Sequence, residues 1–276
     1  MNPLDLVGVP DWRSALLALA FAAPWFLLLA GRWLRRPWLW VVAVAGAVLF
    51  SLSIAWVQVP IQQALNDLYL HSLSMDVIQR YVLLLGAPLV LVAGLVQEVA
   101  KFLGAVAGLH LDRRPHVARA GLAFGAAAGA GYGVAEAFWV LNQVFAAGFT
   151  WATVQLNGAA ALVSFIERIF AVMFHIGIAS LAAYGYAIHR PWRYLLLAIL
   201  LHAVVDYTAV MVQAGALSIA GTETVVAIIA SVVTGLALAL RFGWRSHPTE
   251  EETLASDDGA PNAGGPAGGG PEPGER

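Results

Sequence analysis

The sequence predicts an all-α, polytopic membrane protein: a bundle of seven transmembrane helices with the N-terminus outside and the C-terminus cytoplasmic. Three observations carry that reading. Of 276 residues, 60% are hydrophobic and only 12% charged, a balance no soluble domain needs, because a globular fold covers itself with charge. Seven apolar runs approach or exceed the roughly 20 residues that cross a hydrocarbon core. The arginines gather in alternate connections, as cytoplasmic loops require.

The first run, Ser14–Ala30, follows Asp5 and Asp11 and precedes Arg32, Arg35 and Arg36. Acidic residues before and basic residues after mark a retained, N-out anchor rather than a cleaved signal. The second run is Trp38–Val57. The Val59–Gln79 connection sets Asn66, Asp67 and His71 among Leu65, Leu68 and Leu70, and reads as a short interfacial helix outside. Runs three to five, Tyr81–Leu109, Ala120–Ala147 and Gly158–Ile188, exceed the spanning minimum and should tilt or protrude. Run six is Tyr194–Ala214 and run seven Thr224–Leu240.

Arg113, Arg114 and Arg119 separate runs three and four, Arg190 and Arg193 separate five and six, and Arg241 and Arg245 follow seven. Phe149–Asn157 and Gly215–Glu223 hold no Lys or Arg. All basic segments share one side only if the number of spans is odd. Residues 1–245 therefore form the membrane domain. Residues 246–276 turn to Pro, Gly, Asp and Glu, with little to bury, and read as a disordered cytoplasmic tail. Cysteine is absent, which excludes disulfides, thiolate metal sites and thiol nucleophiles.

Polar groups inside these runs need a reason, since a charge at bilayer depth costs about 2.5–3.5 kcal/mol on insertion scales and usually marks a site. Glu98 and Lys101 share one face of run three. Run four opens with Gly121, Gly125, Gly129 and Gly133, a ladder that lets another helix approach closely, and Glu136 follows it. Run five carries Glu167, Arg168 and, nearly two turns on, His175. Run six carries His202 and Asp206 at i,i+4, where the carboxylate can fix the tautomer of the imidazole. At 1.5 Å per residue from the basic ends, Glu98 lies roughly 16 Å deep, Glu136 24 Å, His175 20 Å, and His202 and Asp206 12–18 Å. These depths suggest one layer on the cytoplasmic half, reached by water through a cavity open to the cytoplasm.

Several intramembrane chemistries fail on these residues. There is no His-Glu-x-x-His for a zincin. Ser164 and Ser180 lack a nucleophile's setting, only Asp206 is a deep aspartate, and the last run holds no lysine for retinal. Two options remain. A glutamate can act as general base on water with histidines stabilising the oxyanion. Alternatively, two histidines and a carboxylate can hold a metal with an open position.

The segments Gln97-Glu98-Val-Ala-Lys101-Phe, Phe124-Gly-x3-Gly-x-Gly-Tyr-Gly-x2-Glu136, Glu167-Arg168-x6-His175-Ile and Leu201-His202-x3-Asp206 resemble the ordered motifs of the YhfC family. That family is a PrsW-like branch of the CAAX-protease and bacteriocin-processing superfamily. The resemblance runs from about Val82 to Met211. The glycine ladder with later histidines is also similar to the Aph subunit of gamma-secretase, which is not itself a protease. The resemblance implies that Glu98 is the water-activating or polarising carboxylate of the first motif, and that Glu136 takes the second-motif position. It matches His175 and His202 to the later histidines, and Asp206 to the position that is asparagine in the CAAX enzymes. The family's first motif commonly begins with two glutamates, and Gln97 stands at the first of them here.

The resulting expectation is an intramembrane endopeptidase of the bacterial plasma membrane, acting on a membrane-embedded peptide or protein. Glu98 or Glu136 activates water, Asp206 orients His202, and Lys101 and Arg168 tune the carboxylates. If a metal is held, Glu136, His175 and His202 are the expected ligands and zinc the expected ion. Nucleic acid is not an expected partner. The rivals are a non-catalytic scaffold that packs a partner helix on the Gly121–Gly133 seam, and a proton or metal-ion transporter that uses the same groups as a relay.

Overall fold

The computed structural model describes residues 10–243. The readings at Asp5 and for residues 246–276 fall outside the described residues.

The described residues form helices joined by short turns, and each apolar run is helical over nearly all its length. Helix α1 (Trp12–Ala30) starts at Asp11, whose side chain accepts from the Arg13 N–H, and stops at Gly31, which has φ +50°. Arg241 Nε donates to the carbonyl of Leu29 at 3.1 Å, giving one of the last carbonyls of α1 a basic partner. Helix α2 (Pro37–Ser53) begins with proline at its first position, where the missing N–H costs nothing. It runs through a π turn (Ile54–Gln58) straight into α3 (Val59–Ser72). Pro60 accounts for that turn. It cannot donate to the carbonyl four residues back and its ring crowds that carbonyl, so the helix widens there. The interfacial helix expected after run two is thus a continuation of the span.

Helix α4 (Met75–Arg80) leads to α5 (Val82–Leu111) and α6 (Ala118–Ala146). Helix α7 (Trp151–Asn157) precedes α8 (Val163–Ala187), α9 (Pro191–Gln213) and α10 (Ile219–Phe242).

Among the described residues, six stretches are long and apolar enough to cross a membrane: Trp12–Arg35, Pro37–Ser72, Val82–Leu111, Trp151–Ala187, Pro191–Gln213 and Ile219–Phe242. The sequence reading counted seven. The difference is α6, whose 29 residues are rich in alanine and glycine rather than leucine. Its composition follows from its position. Every residue from Ala120 to Gly133 is buried, because α6 meets other helices on its sides. Small residues serve that role where lipid-facing ones would not.

The glycine ladder sets the packing. A Cβ at Gly121 would lie 2.8 Å from the Ala183 carbonyl, and at Gly125 and Gly129 it would strike the carbonyls of Ala179 and His175. On another face of α6, Gly131 meets the Ala43 carbonyl of α2, and Gly46 of α2 meets the Ala128 carbonyl in return. The ladder is therefore filled by α8 of the same chain. This corrects the expectation that the seam is open to a partner helix. Helices α5 and α9 approach by the same device, since a Cβ at Gly94 would sit 2.6 Å from the Ile199 carbonyl.

Candidate functional site

The two glycine contacts aim the polar side chains. Glu98 lies one turn beyond Gly94, and His202 three residues beyond Ile199, so the α5–α9 approach sets this carboxylate against this imidazole. His202 Nδ1 lies 2.5 Å from Glu98 Oε1. On α6, a Cβ at Gly133 would lie 3.2 Å from the Cβ of His175, and Glu136 reaches the ring from the next turn. His175 Nε2 lies 2.9 Å from Glu136 Oε2.

One chain of ionisable groups results, crossing four helices. Asp206 Oδ2 stands 3.6 Å from His202 Nε2. Lys101 Nζ donates to Glu98 Oε1 at 2.6 Å and lies 2.8 Å from His175 Nδ1. Arg168 Nη1 donates to Glu136 Oε1 at 2.6 Å, and its Nη2 donates to Glu167. All seven residues singled out from sequence (Glu98, Lys101, Glu136, Arg168, His175, His202 and Asp206) belong to this chain, and Glu167 extends it.

The two histidines are posed alike. Each turns Nδ1 towards the Glu98–Lys101 centre and Nε2 towards an outer carboxylate, Glu136 for His175 and Asp206 for His202. A ligating histidine typically has such a carboxylate on its second nitrogen. Glu98, His175 and His202 each offer a ligand atom, and the three atoms lie within 4.8 Å of one another. Glu98 Oε2 is buried and has no hydrogen-bond partner. The chain holds four carboxylates against two fixed cations, Lys101 and Arg168, a formal deficit that a divalent ion matches. Two histidines and a glutamate are a known catalytic zinc set. The residues fit a metal.

The carboxylate that gathers with the two histidines is Glu98, whereas the expected ligand was Glu136. Both oxygens of Glu136 are committed on the far side of His175, to Arg168 and to Nε2.

A cavity of about 350 Å³ adjoins the site, lined by Gln97, Glu136, Arg168, His175, His202 and Asp206 among others. Glu98 and Lys101 do not line it and have no exposed side-chain surface. Glu136 retains 19% exposure. The remaining walls include Glu167 in the second turn of α8, Ala209 in the last turns of α9 and Thr222 in the first turn of α10. All of these lie towards the arginine-poor ends of their helices. The cavity therefore extends away from the basic loops, opposite to the expected cytoplasmic opening. The histidines lie at mid-helix: His175 is twelve residues from either end of α8, and His202 eleven from either end of α9.

Three features escaped the sequence reading. Gln97 Nε2 donates to Gln58 at 3.1 Å, and Gln62 donates to the Leu89 carbonyl at 2.9 Å, tying the π turn to α5. Pro60 is the sequence mark of that turn. Tyr132 places its ring 5.2 Å from Lys101 Nζ, within cation–π range, and hydrogen-bonds Ser53 at 3.1 Å. The third mark is a count: Lys101 is the only lysine among 15 Lys and Arg residues.

Residues 139–230 match the family model described as YhfC intramembrane metalloprotease. No curated protein and no solved structure matches the chain. The YhfC match takes in Glu167, Arg168, His175, His202 and Asp206. It begins three residues after Glu136 and leaves out Glu98 and Lys101, which geometry alone joins to the matched region. Together with the apolar spans, the match supports a multi-pass membrane protein with intramembrane protease character.

Proposed function

We propose that the protein is an intramembrane metalloprotease that hydrolyses a peptide bond of a membrane-embedded protein or peptide. The observation that carries this reading is the shared pose of His175 and His202, each with Nδ1 towards the Glu98–Lys101 centre and Nε2 towards a carboxylate that lines the cavity.

Glu98, His175 and His202 would hold the metal, with zinc suited to the donor set. Such an ion supplies Lewis-acid polarisation of the scissile carbonyl and makes water more acidic. The other steps belong to side chains. Glu136 faces the cavity and takes a proton from the attacking water as its oxygen bonds to the carbonyl carbon. It returns that proton to the amide nitrogen as the C–N bond breaks, leaving an acid and an amine. Arg168 holds Glu136 in place and sets positive charge beside the developing oxyanion. Asp206 fixes the ring of His202, as Glu136 fixes that of His175.

We place α6 as a seventh span, enclosed by its neighbours, and the arginine-rich loops in the cytoplasm of a bacterial plasma membrane. The N-terminus is then outside, and water enters the cavity from the outer face. The scaffold alternative loses its docking seam, because α8 occupies it.

The test is reconstituted full-length protein with a panel of transmembrane reporter peptides. Wild type should cleave at least one of them, and Glu136→Gln should lower that rate by about 10²–10⁴-fold. An unchanged rate would remove Glu136 as the base.

A further inference from the structure

We propose that Lys101 is the resident cation of this site, and that its ammonium and a divalent metal ion hold the Glu98–His175 donor pair by turns. The inference rests on the metalloprotease reading and adds to it a built-in control of metal occupancy.

The reasoning starts from the tautomer of His175. Glu136 Oε2 is a carboxylate oxygen and can only accept, so Nε2, 2.9 Å away, is the N–H donor. Nδ1 then carries the one in-plane lone pair of a neutral imidazole, and Lys101 Nζ donates to it at 2.8 Å. That lone pair is also what a metal needs from this ring. It cannot serve both. The same Nζ bonds Glu98 Oε1 at 2.6 Å, so the ammonium covers two of the three candidate ligand residues together. By the same rule His202 Nδ1, 2.5 Å from Glu98 Oε1, is an N–H donor here, and a metal would take that position as the proton passes to Nε2, which faces Asp206.

The ammonium has a second place nearby. Glu98 Oε2 has no partner, and the Tyr132 ring, its hydroxyl held by Ser53, lies 5.2 Å from Nζ. A turn of the lysine stem away from His175 would set the charge on Glu98's second oxygen beside an aromatic face, without taking it out of the site. Lysine suits this exchange and arginine does not. Its ammonium is compact and swings on a flexible stem, whereas a guanidinium holds a rigid planar fork. The chain's single lysine stands at this one sealed position. While the ammonium is in place, it keeps the buried Glu98 paired and the donors assembled. Apparent metal affinity falls by the fraction of time they are covered.

Two measurements on the full chain in detergent test this. Zinc affinity is read by competition with a fluorescent chelator for wild type and Lys101→Met. With one lysine in the sequence, ¹³Cε/¹⁵Nζ-lysine labelling gives a single lysine side-chain signal to follow through a zinc titration. The expected results are about tenfold or greater tightening in Lys101→Met, from removal of the competitor, and a lysine signal that shifts in step with zinc. In His175→Ala the lysine shift should be absent. Equal zinc affinities, or a lysine signal unmoved at zinc saturation, would overturn the exchange and leave the metalloprotease reading standing. No zinc binding by either protein would overturn both. If Lys101→Met does not fold, the wild-type lysine signal decides alone.

Discussion

Helices α6 and α8 meet in two different ways along their length. From Gly121 to Gly129 the contact is backbone on backbone, with glycines against the carbonyls of Ala183, Ala179 and His175. From Gly133 onwards it is charge on charge, with Glu136 between His175 and Arg168 and a cavity alongside. The first half holds no ionisable group in the seam and the second half is built from them. The contrast shows how a membrane fold holds a charged site steady. Glycines recurring every fourth residue allow a close approach that resists sliding or rotation, because almost any shift brings backbone into collision. The site inherits that registration one turn later.

A second contrast lies within the charged half. Glu98 and Lys101 are sealed behind the histidines, whereas Glu136 opens to the cavity. Breaking the sealed pair should have the largest effect on stability. Glu98→Gln leaves the Lys101 ammonium without its carboxylate, and thermal unfolding in detergent should show a loss of about 3–5 kcal/mol. Glu136→Gln should cost less than Glu98→Gln, because Arg168 keeps Glu167 as a carboxylate partner and the amide keeps the shape. Equal losses from both would erase the distinction between the sealed and open carboxylates.

Next in size is the seam. Gly129→Leu drives a side chain into the His175 backbone, and should cost about 1–3 kcal/mol or more while displacing His175. The same assay on Gly235→Ala of α10 is the control. A methyl there meets nothing within 4 Å, and stability should hold or rise by up to about 1 kcal/mol. A comparable loss at both positions would mean that helix flexibility, rather than close approach, explains the ladder.

The smallest effect should come from Gln97→Glu, which restores the double glutamate common in the resembling family. The new carboxylate would lose the hydrogen bond to Gln58 and face its oxygen instead. Cleavage by reconstituted protein should change by no more than about tenfold, the cost of one neutral hydrogen bond. A hundredfold gain would make the first position of that motif the base.

Much of this was legible in the sequence, for reasons that also explain what was not. Apolar runs mark helices because lipid and packing demand them, and the i,i+3 and i,i+4 spacings placed Glu98 with Lys101 and His202 with Asp206 on shared faces. The ligand set was not legible. A depth estimate with an error of one turn is uncertain by about 5.4 Å, more than the 4.8 Å within which the donor atoms of Glu98, His175 and His202 gather. Glu136 and Glu98 could not be told apart on that scale. The direction of the cavity is written in the chain. Glu167 and Arg168 precede His175 on a helix that leads towards the basic loops, while Asp206 follows His202 and Glu136 follows Gly133 on helices that lead away from them. Each extra charge lies on the arginine-poor side of its histidine or glycine. The two span counts part at α6 because alanine and glycine register as apolar in a run, yet fall short of the hydropathy of a helix that faces lipid.

The most direct measurement is mass spectrometry of the products when wild type and Glu136→Gln meet the same transmembrane peptide in liposomes. The account expects wild type to cut between the middle of the peptide and the end lying on the arginine-poor side, and expects Glu136→Gln to yield almost none of those products. Cuts confined to the basic-loop side, or the same products from both proteins, would contradict it.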